Sequence, residues 1–255
     1  MISIELNGRL GNQMFQYSVC KIAAEKNGYN FYISREPNAH GQNIADYFNL
    51  DMGINDGSHL VFRYSENTHT QTYNPAVFNI ADNTIIHGFY QTDKYFSGYE
   101  DKIKKWFSIE TDDKTDSILS EFPIEDHCYL HFRGTDYKDW DDGKKFLPKK
   151  YFDDAIKKIR EHKDDIKVLI ITDDPVLANE IFPGGRIISN DLMTDFKLLY
   201  YSKYCIIPNS SFSWWASWLS DKHLTIAPYC WLNYNYQDLG FYPADIESDK
   251  FIYIK

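Results

Sequence analysis

Val168-Leu169-Ile170-Ile171-Thr172-Asp173-Asp174-Pro175 runs from apolar residues straight into a polar turn and a proline. Leu and β-branched residues without polar alternation mark a strand buried on both faces. Thr-Asp-Asp is turn chemistry, and proline suits the first turn of a helix. Helical spacing follows over 175–181, then a strand over 186–189. Moving outward, the same alternation appears on both sides. Before it come an apolar strand at 128–132, a charged loop at 133–145 and a helix at 148–162. Tyr151, Phe152, Ala155, Ile156 and Ile159 form the apolar face of that helix. After it come a helix at 191–203, a strand at 205–208, a helix at 212–220 and a strand at 224–227. Alternating strands and helices predict an α/β fold whose C-terminal half is a parallel sheet with helices on both faces.

The N-terminus opens in the same style. Residues 2–6 read as a short strand, and Gly8 and Gly11 permit a tight turn. Apolar residues at 14, 15, 19, 22 and 23 predict a helix over 13–26, stopped by Gly28. A strand at 31–34 follows. The middle, 36–123, is rich in Asn, Asp, Tyr and Thr and shows few clean periods. Only a strand at 84–90 and one or two helices within 94–107 are expected there.

Composition narrows the function. Asp and Glu number 37 against 27 Lys and Arg, so the formal charge of −10 excludes a nucleic-acid binder that relies on phosphate neutralisation. A local basic site for a phosphorylated ligand stays open. Aromatics make up 17% of the chain, enough to fill a core and still leave rings for stacking on sugars. Glu5, Asn7 and Arg9 stand where a signal peptide needs an apolar run, and no stretch reaches the length of a membrane span. Cys20, Cys128, Cys205 and Cys230 lie far apart, without a C-x-x-C pair or the Cys–His spacing of a zinc site. Buried free thiols and no metal are expected, in a cytoplasmic protein able to touch a membrane surface peripherally.

In parallel sheets ligands bind at the carboxyl ends of the strands. Three polar loops fall there: Arg133-Gly134-Thr135-Asp136-Tyr137, Thr172-Asp173-Asp174 and Asn209-Ser210-Ser211. Together they supply a cation, carboxylates, and hydroxyl and amide donors at a helix start, a set that suits a nucleoside diphosphate. Each loop also has a plainer reading. Asn209-Ser210-Ser211 can be an ordinary N-cap, Thr172-Asp173-Asp174-Pro175 an ordinary turn, and Arg133 with Asp136 a local ion pair. G-x-G-x-x-G, the P-loop and G-x-S-x-G are absent, which excludes a dinucleotide fingerprint, a P-loop NTPase and an α/β-hydrolase elbow.

Four segments resemble the signature blocks of the α1,2-fucosyltransferase family, glycosyltransferase family 11. They are Gly8-Arg9-Leu10-Gly11-Asn12-Gln13-Met14-Phe15-Gln16-Tyr17, His87-Gly88-Phe89-Tyr90-Gln91-Thr92-Asp93-Lys94-Tyr95-Phe96, His131-Phe132-Arg133-Gly134-Thr135-Asp136-Tyr137, and Asn209-Ser210-Ser211-Phe212-Ser213-Trp214-Trp215-Ala216-Ser217-Trp218-Leu219. The H-x-R-x-x-D core is similar to that of the α1,6-fucosyltransferases as well. The resemblance implies a GT-B-like fold of two Rossmann-like halves, with an acceptor-side lobe at 1–125 and a GDP-sugar-binding lobe at 126–255. It implies an inverting, metal-independent and cofactor-free transfer of L-fucose from GDP-β-L-fucose to a glycan hydroxyl, forming an α1,2 linkage to galactose. An oligosaccharide or polysaccharide repeat would be the acceptor.

By position, the resemblance implies that Arg133 holds the β-phosphate and that Asp136 orients the loop or contacts the donor. His131, Thr172, Asp173, Asp174, Asn209, Ser210, Ser211 and Phe212 would line the donor site. Gly8, Arg9, Gly11, Asn12 and Gln13 would close the cleft from the other half. A general base would come from Asp139, Asp141 or Asp142, with Asp141 as the candidate, in a loop that reads equally as a solvated acidic face. Gly134 departs from the pattern, since the family commonly has a second arginine there. That departure motivates two other readings: the same fold with another nucleotide-sugar donor, or an inactive carbohydrate-binding protein. Trp214, Trp215 and Trp218 are expected in the core, and the Tyr-rich stretches 47–99 and 229–242 against a sugar acceptor.

Overall fold

Ile2–Ile4 forms a fully buried strand, β1, in the structure, a computed structural model that describes residues 1–57 and 59–255. Helix α1 (Leu10–Asn27) follows, then β2 (Phe31–Tyr32), β3 (Phe62–Ser65), β4 (Thr84–His87) and α2 (Glu100–Trp106). The four strands pair in parallel in the order β2-β1-β4-β3. Helix α1 begins earlier than its apolar period predicts. Its first turn carries no acidic residue and no side-chain cap, so nothing local announces it. The expected stop holds: Gly28 is left-handed at φ +67° and its N–H reaches back to Ala24 and Glu25. α1 is buried on nearly all sides, including Gln13 and Gln16 at 0% exposure. β3 was not expected, because its Phe62 and Arg63 are exposed at the sheet edge.

The second sheet begins after α3 (Asp113–Glu121) and contains β5 (His127–Phe132), β6 (Lys167–Thr172), β7 (Arg186–Ile188), β8 (Tyr204–Ile206), β9 (Leu224–Pro228) and β10 (Ile252–Ile254). Helices α4 (Lys149–Arg160), α5 (Pro175–Ile181), α6 (Leu192–Tyr201) and α7 (Ser211–Trp218) alternate with the strands. Every pairing is parallel, in the order β10-β9-β8-β5-β6-β7. All of β5 is buried, as a strand covered on both faces must be. Cys128, Leu130 and Phe132 join the core beneath α4 and α5 with Tyr151, Phe152, Ala155 and Ile159. The alternate residues Tyr129 and His131 therefore face the other side, towards α6 and α7. A side chain such as Leu130 or Ile170 contributes about 1.5–3 kcal/mol by this burial. Only α3 and β10 escape the sequence reading of this half.

The chain divides into two units: residues 1–108 with 242–247, and residues 109–241 with 248–255. The sequence reading draws its line between 125 and 126; here residues 109–125 group with the second unit, where α3 packs on α6. All four cysteines are free and buried. Trp214, Trp215 and Trp218 are buried too, with the first and last stacked at 6.0 Å, so they are core as expected. Among the described residues no helix is long and apolar enough to cross a membrane.

One half-buried cation closes the second unit. Lys222 Nζ donates to the carbonyls of Leu199, Tyr200 and Ser202 at 2.6, 3.2 and 2.9 Å, capping the end of α6. Positive charge at a helix C-terminus is favourable, and stranding these carbonyls costs their desolvation. Lys222→Met is expected to lower stability by about 2–4 kcal/mol in urea unfolding.

Candidate functional site

The order β7-β6-β5-β8-β9-β10 reverses direction between β5 and β8, which makes that gap the topological switch point of the second unit. The loops that follow β5, β6 and β8 meet there, and they are the three polar loops singled out in the sequence. Tyr137 from the first loop donates its hydroxyl to the Asn209 carbonyl of the third at 2.8 Å. Asn209 Nδ2 donates to the Lys145 carbonyl at 2.9 Å. The Arg133 guanidinium is held on two edges: Nε donates to Asp136 at 2.8 Å, and Nη1 to Asp173 at 2.8 Å. Burial works against its charge, but Asp136 and Asp173 more than compensate and hold its pKa above the ordinary arginine value.

Asp173 also accepts the Gly134 N–H and the Thr135 hydroxyl, each at 2.8 Å. Burial raises its pKa, yet Arg133 and these donors together keep it below the usual carboxylate range. Asp174 does different work: it caps α5 through Leu177 N, and its own N–H reaches Thr172 Oγ1 at 3.0 Å. The turn reading is thus right for Thr172 and Asp174, while Asp173 belongs to the arginine. Gly134 packs against that cap. A Cβ at this position would meet Asp174 Cβ at 2.6 Å, so no arginine fits here with the loop as it stands. Lys138 is the further cation on this edge, 3.7 Å from Asp174.

The N-cap reading of Asn209-Ser210-Ser211 gives way. Ser210 is the N-cap residue of α7, but its side chain makes no capping bond, and no acidic residue occupies the first turn. The positive end of α7 is therefore not satisfied by the side chain of its N-cap residue. Two buried polar atoms close by also lack partners: His131 Nδ1 and Asn209 Oδ1, in side chains 4% and 2% exposed. His131 lies 5.5 Å from the Phe212 ring. Burial and the adjacent Arg133 charge pull its pKa down to about 3, against an opposing pull from Asp173.

Asp141, the candidate base, is paired with Lys144 and Lys145, each at 3.6 Å, in left-handed backbone at φ +53°. Asp139 and Asp141 have the D-x-D spacing by which some sugar-nucleotide transferases hold a metal. Among the described residues no group of three His, Cys, Asp or Glu side chains is placed to hold a metal ion. Tyr137 is a residue of this edge that the sequence reading left without a role. It ties two loops together, and its ring lies 5.9 Å from the Arg133 guanidinium.

In the first unit the 8–13 turn is braced by amides. Gln13 and Asn38 both donate to the Gly8 carbonyl, at 3.1 and 2.6 Å. Gln91 donates to Asn12 at 2.7 Å, and Gln16 to the Gly88 carbonyl at 2.8 Å. Gly8 is left-handed at φ +73°, Gly11 is buried in α1, and Arg9 is exposed.

The family model for glycosyl transferase family 11 matches residues 1–255. An α1,2-colitosyltransferase of Escherichia coli is 26% identical over 275 aligned positions, covering 91% of this chain and 92% of that protein. The O-antigen biosynthesis glycosyltransferase WbnK of Escherichia coli is 29% identical over 114 positions, covering 40% of this chain and 38% of its own. Among solved structures, the α1,6-fucosyltransferase NodZ soaked with GDP-fucose aligns at a TM-score of 0.50 and 13% identity, covering 86% of this chain and 92% of that one. That likeness is of fold: a GT-B-like α/β fold with two Rossmann-like halves.

Two outcomes follow from the site. Gly134→Ala is expected to cost about 1–3 kcal/mol of stability by overpacking against Asp174, read by urea unfolding. For His131, the unfolded chain takes up a proton below the ordinary pKa of 6.5 while the folded chain does not until about 3. Its contribution is therefore complete above pH 6.5 and lost as the pH falls, at up to about 1.4 kcal/mol per pH unit. Histidine-ring NMR should show His131 neutral and untitrated from about pH 5 to 8, and His131→Gln should flatten the acid limb of stability.

Proposed function

We propose that this chain, which belongs to glycosyl transferase family 11, moves L-fucose from GDP-β-L-fucose to a hydroxyl of a glycan acceptor, forming an α1,2 linkage to galactose. The observation that carries the reading is the switch point of the second unit. A half-buried, pre-oriented guanidinium stands there beside a helix start whose N-cap residue, Ser210, makes no side-chain capping bond. A diphosphate fits both: the helix start offers N–H donors, and Arg133 offers its Nη2 edge, which has no partner among the described residues.

The acceptor oxygen attacks the anomeric carbon on the face opposite the nucleotide, so the configuration inverts. The bond from that carbon to the β-phosphate oxygen breaks, and its electron pair leaves with GDP. Charge grows on the departing phosphate as the sugar passes through an oxocarbenium-like state. Donors that meet this charge already in place lower the barrier without reorganising. In this reading Arg133 and the α7 N–H groups do so, without a metal ion or cofactor. Asp136 and Asp173 orient the arginine. Ser210, Ser211 and Asn209 line the phosphates, and neutral His131 offers them no competing charge. The attacking proton passes to a carboxylate or to solvent; Asp141 in its lysine pair is a base only after that pair opens.

The similarity to an α1,2-colitosyltransferase over most of the chain favours one further donor. Colitose is L-fucose lacking one ring hydroxyl, so the same GDP loops serve both sugars. GDP-fucose and GDP-colitose offered in competition to a panel of β-galactosides, with linkage analysis of the product, distinguish them. Arg133→Ala is expected to lower kcat by about 10²–10³-fold with the fold intact by circular dichroism. Turnover near the wild-type rate would reject the role given to Arg133.

A further inference from the structure

The first unit carries a cavity of its own. It has a volume of about 130 Å³ and is lined by Tyr64, Glu66, Thr72, Asn74, Tyr90 and Tyr95. One water needs about 10–15 Å³ in such a measure, so a pyranose ring fits. β3 ends at Ser65 and β4 at His87, so Glu66 and Tyr90 lie just past the carboxyl ends of parallel strands, where such sheets bind ligands.

The floor is chemically unfinished. Glu66 is 8% exposed, and its two oxygens accept Phe89 N at 2.8 Å and Tyr90 N at 3.0 Å, one bond each. A carboxylate oxygen takes two. Tyr95 accepts from Asn74 N at 3.0 Å, and its own O–H has no acceptor among the described residues. The Tyr64 hydroxyl has no hydrogen bond among them either. The backbone is arranged around the carboxylate at some cost. A Cβ on Gly88 would meet Glu66 Cβ at 2.4 Å, and Tyr90 sits at φ +55°, which a bulky residue adopts only under constraint. Burial raises the Glu66 pKa against the lowering pulls of the Phe89 and Tyr90 N–H groups and of His87, and among the described residues no lysine or arginine forms an ion pair with it.

A carboxylate with spare lone pairs, phenol hydroxyls and flat rings is chemistry for a neutral polyol. It repels phosphate. We infer that this cavity binds one neutral hexopyranose unit of the acceptor glycan. Adjacent sugar hydroxyls donate to Glu66, the Tyr64 and Tyr95 hydroxyls bond to sugar oxygens, and a C–H face of the ring lies on the aromatic wall. The inference rests on the transferase reading only in naming that sugar the acceptor.

Saturation-transfer NMR on the full chain, without donor, tests it with methyl β-D-galactopyranoside, methyl β-D-glucopyranoside and methyl α-D-mannopyranoside. At least one is expected to receive saturation. Tyr64→Phe removes a hydroxyl the fold does not use and is expected to raise that Kd about tenfold, the equivalent of one good hydrogen bond. Glu66→Gln is expected to raise it further, and GDP binding by calorimetry is expected to be unchanged in both. Saturation of none of the three sugars, or equal saturation in wild type and both variants, overturns the inference. So does methylammonium displacing the sugar, which would make the cavity a cation site. Sugar binding without GDP binding in the wild type would fail the donor reading and leave this one standing.

Discussion

Asp173 gathers three donors on one carboxylate: Arg133 Nη1, the Gly134 N–H and the Thr135 hydroxyl, all at 2.8 Å. The carboxylate sits just past β6, and all three donors come from the loop after β5. The two strands are paired from His127 opposite Lys167 to Phe132 opposite Thr172, so they end level and the loops meet side on. This junction sets the direction of Arg133, the one arginine among the described residues of the second unit that is half-buried rather than exposed. Fixing a long cationic side chain during folding removes an entropy cost of up to about 2 kcal/mol that binding would otherwise bear. Asp136 repeats the restraint on the Nε edge. The remaining edge is what a phosphate can reach.

The sequence made the second half legible because its signals are local. Continuous apolar runs specified strands, and the turn into Pro175 and the helical spacing from Asp191 specified helices; in the structure Asp174 and Asp191 are the N-caps of those helices. The elements that escaped lie where locality fails. β3 and β10 are edge strands with exposed Phe62 and Ile252, so neither half-burial nor an apolar run announces them. α3 buries little besides Thr115 and Phe122 beyond its end. The site divides the same way. Arg133, Asp136 and the Asn209-Ser210-Ser211 segment were visible as loop chemistry. The Asp173 junction and the Tyr137–Asn209 bond were not, because each depends on which strand lies beside which. The N-cap reading of Ser210 was the better bet from sequence alone, and only the absence of a capping bond reverses it.

Gly134 shows how a likeness carried over by position can mislead. Read by alignment, it is a missing arginine. Read in space, it is a position where the backbone passes too close to Asp174 Cβ for any side chain. The contact ties the loop after β5 to the cap of α5, and that cap in turn orders the start of the helix after β6. Lys138, on the same loop, approaches the same Asp174 with its ammonium.

The same topology makes two unlike sites. Each unit is a parallel sheet with a reversal of strand order, between β1 and β4 in the first and between β5 and β8 in the second. In each, polar side chains brace the loops across the reversal: Gln16 to Gly88 and Asn12 to Gln91 in one, Tyr137 to Asn209 in the other. What differs is charge. Past β5 the charged group is a half-buried guanidinium held by carboxylates; past β3 it is a buried carboxylate held by two backbone N–H groups. A diphosphate needs the first and is repelled by the second, while a neutral sugar gains hydrogen bonds from the second and needs no cation. Fold alone could not assign these roles, because both edges are equally available for ligands. In the two readings proposed above, the opposite signs of Arg133 and Glu66 are what distinguish them.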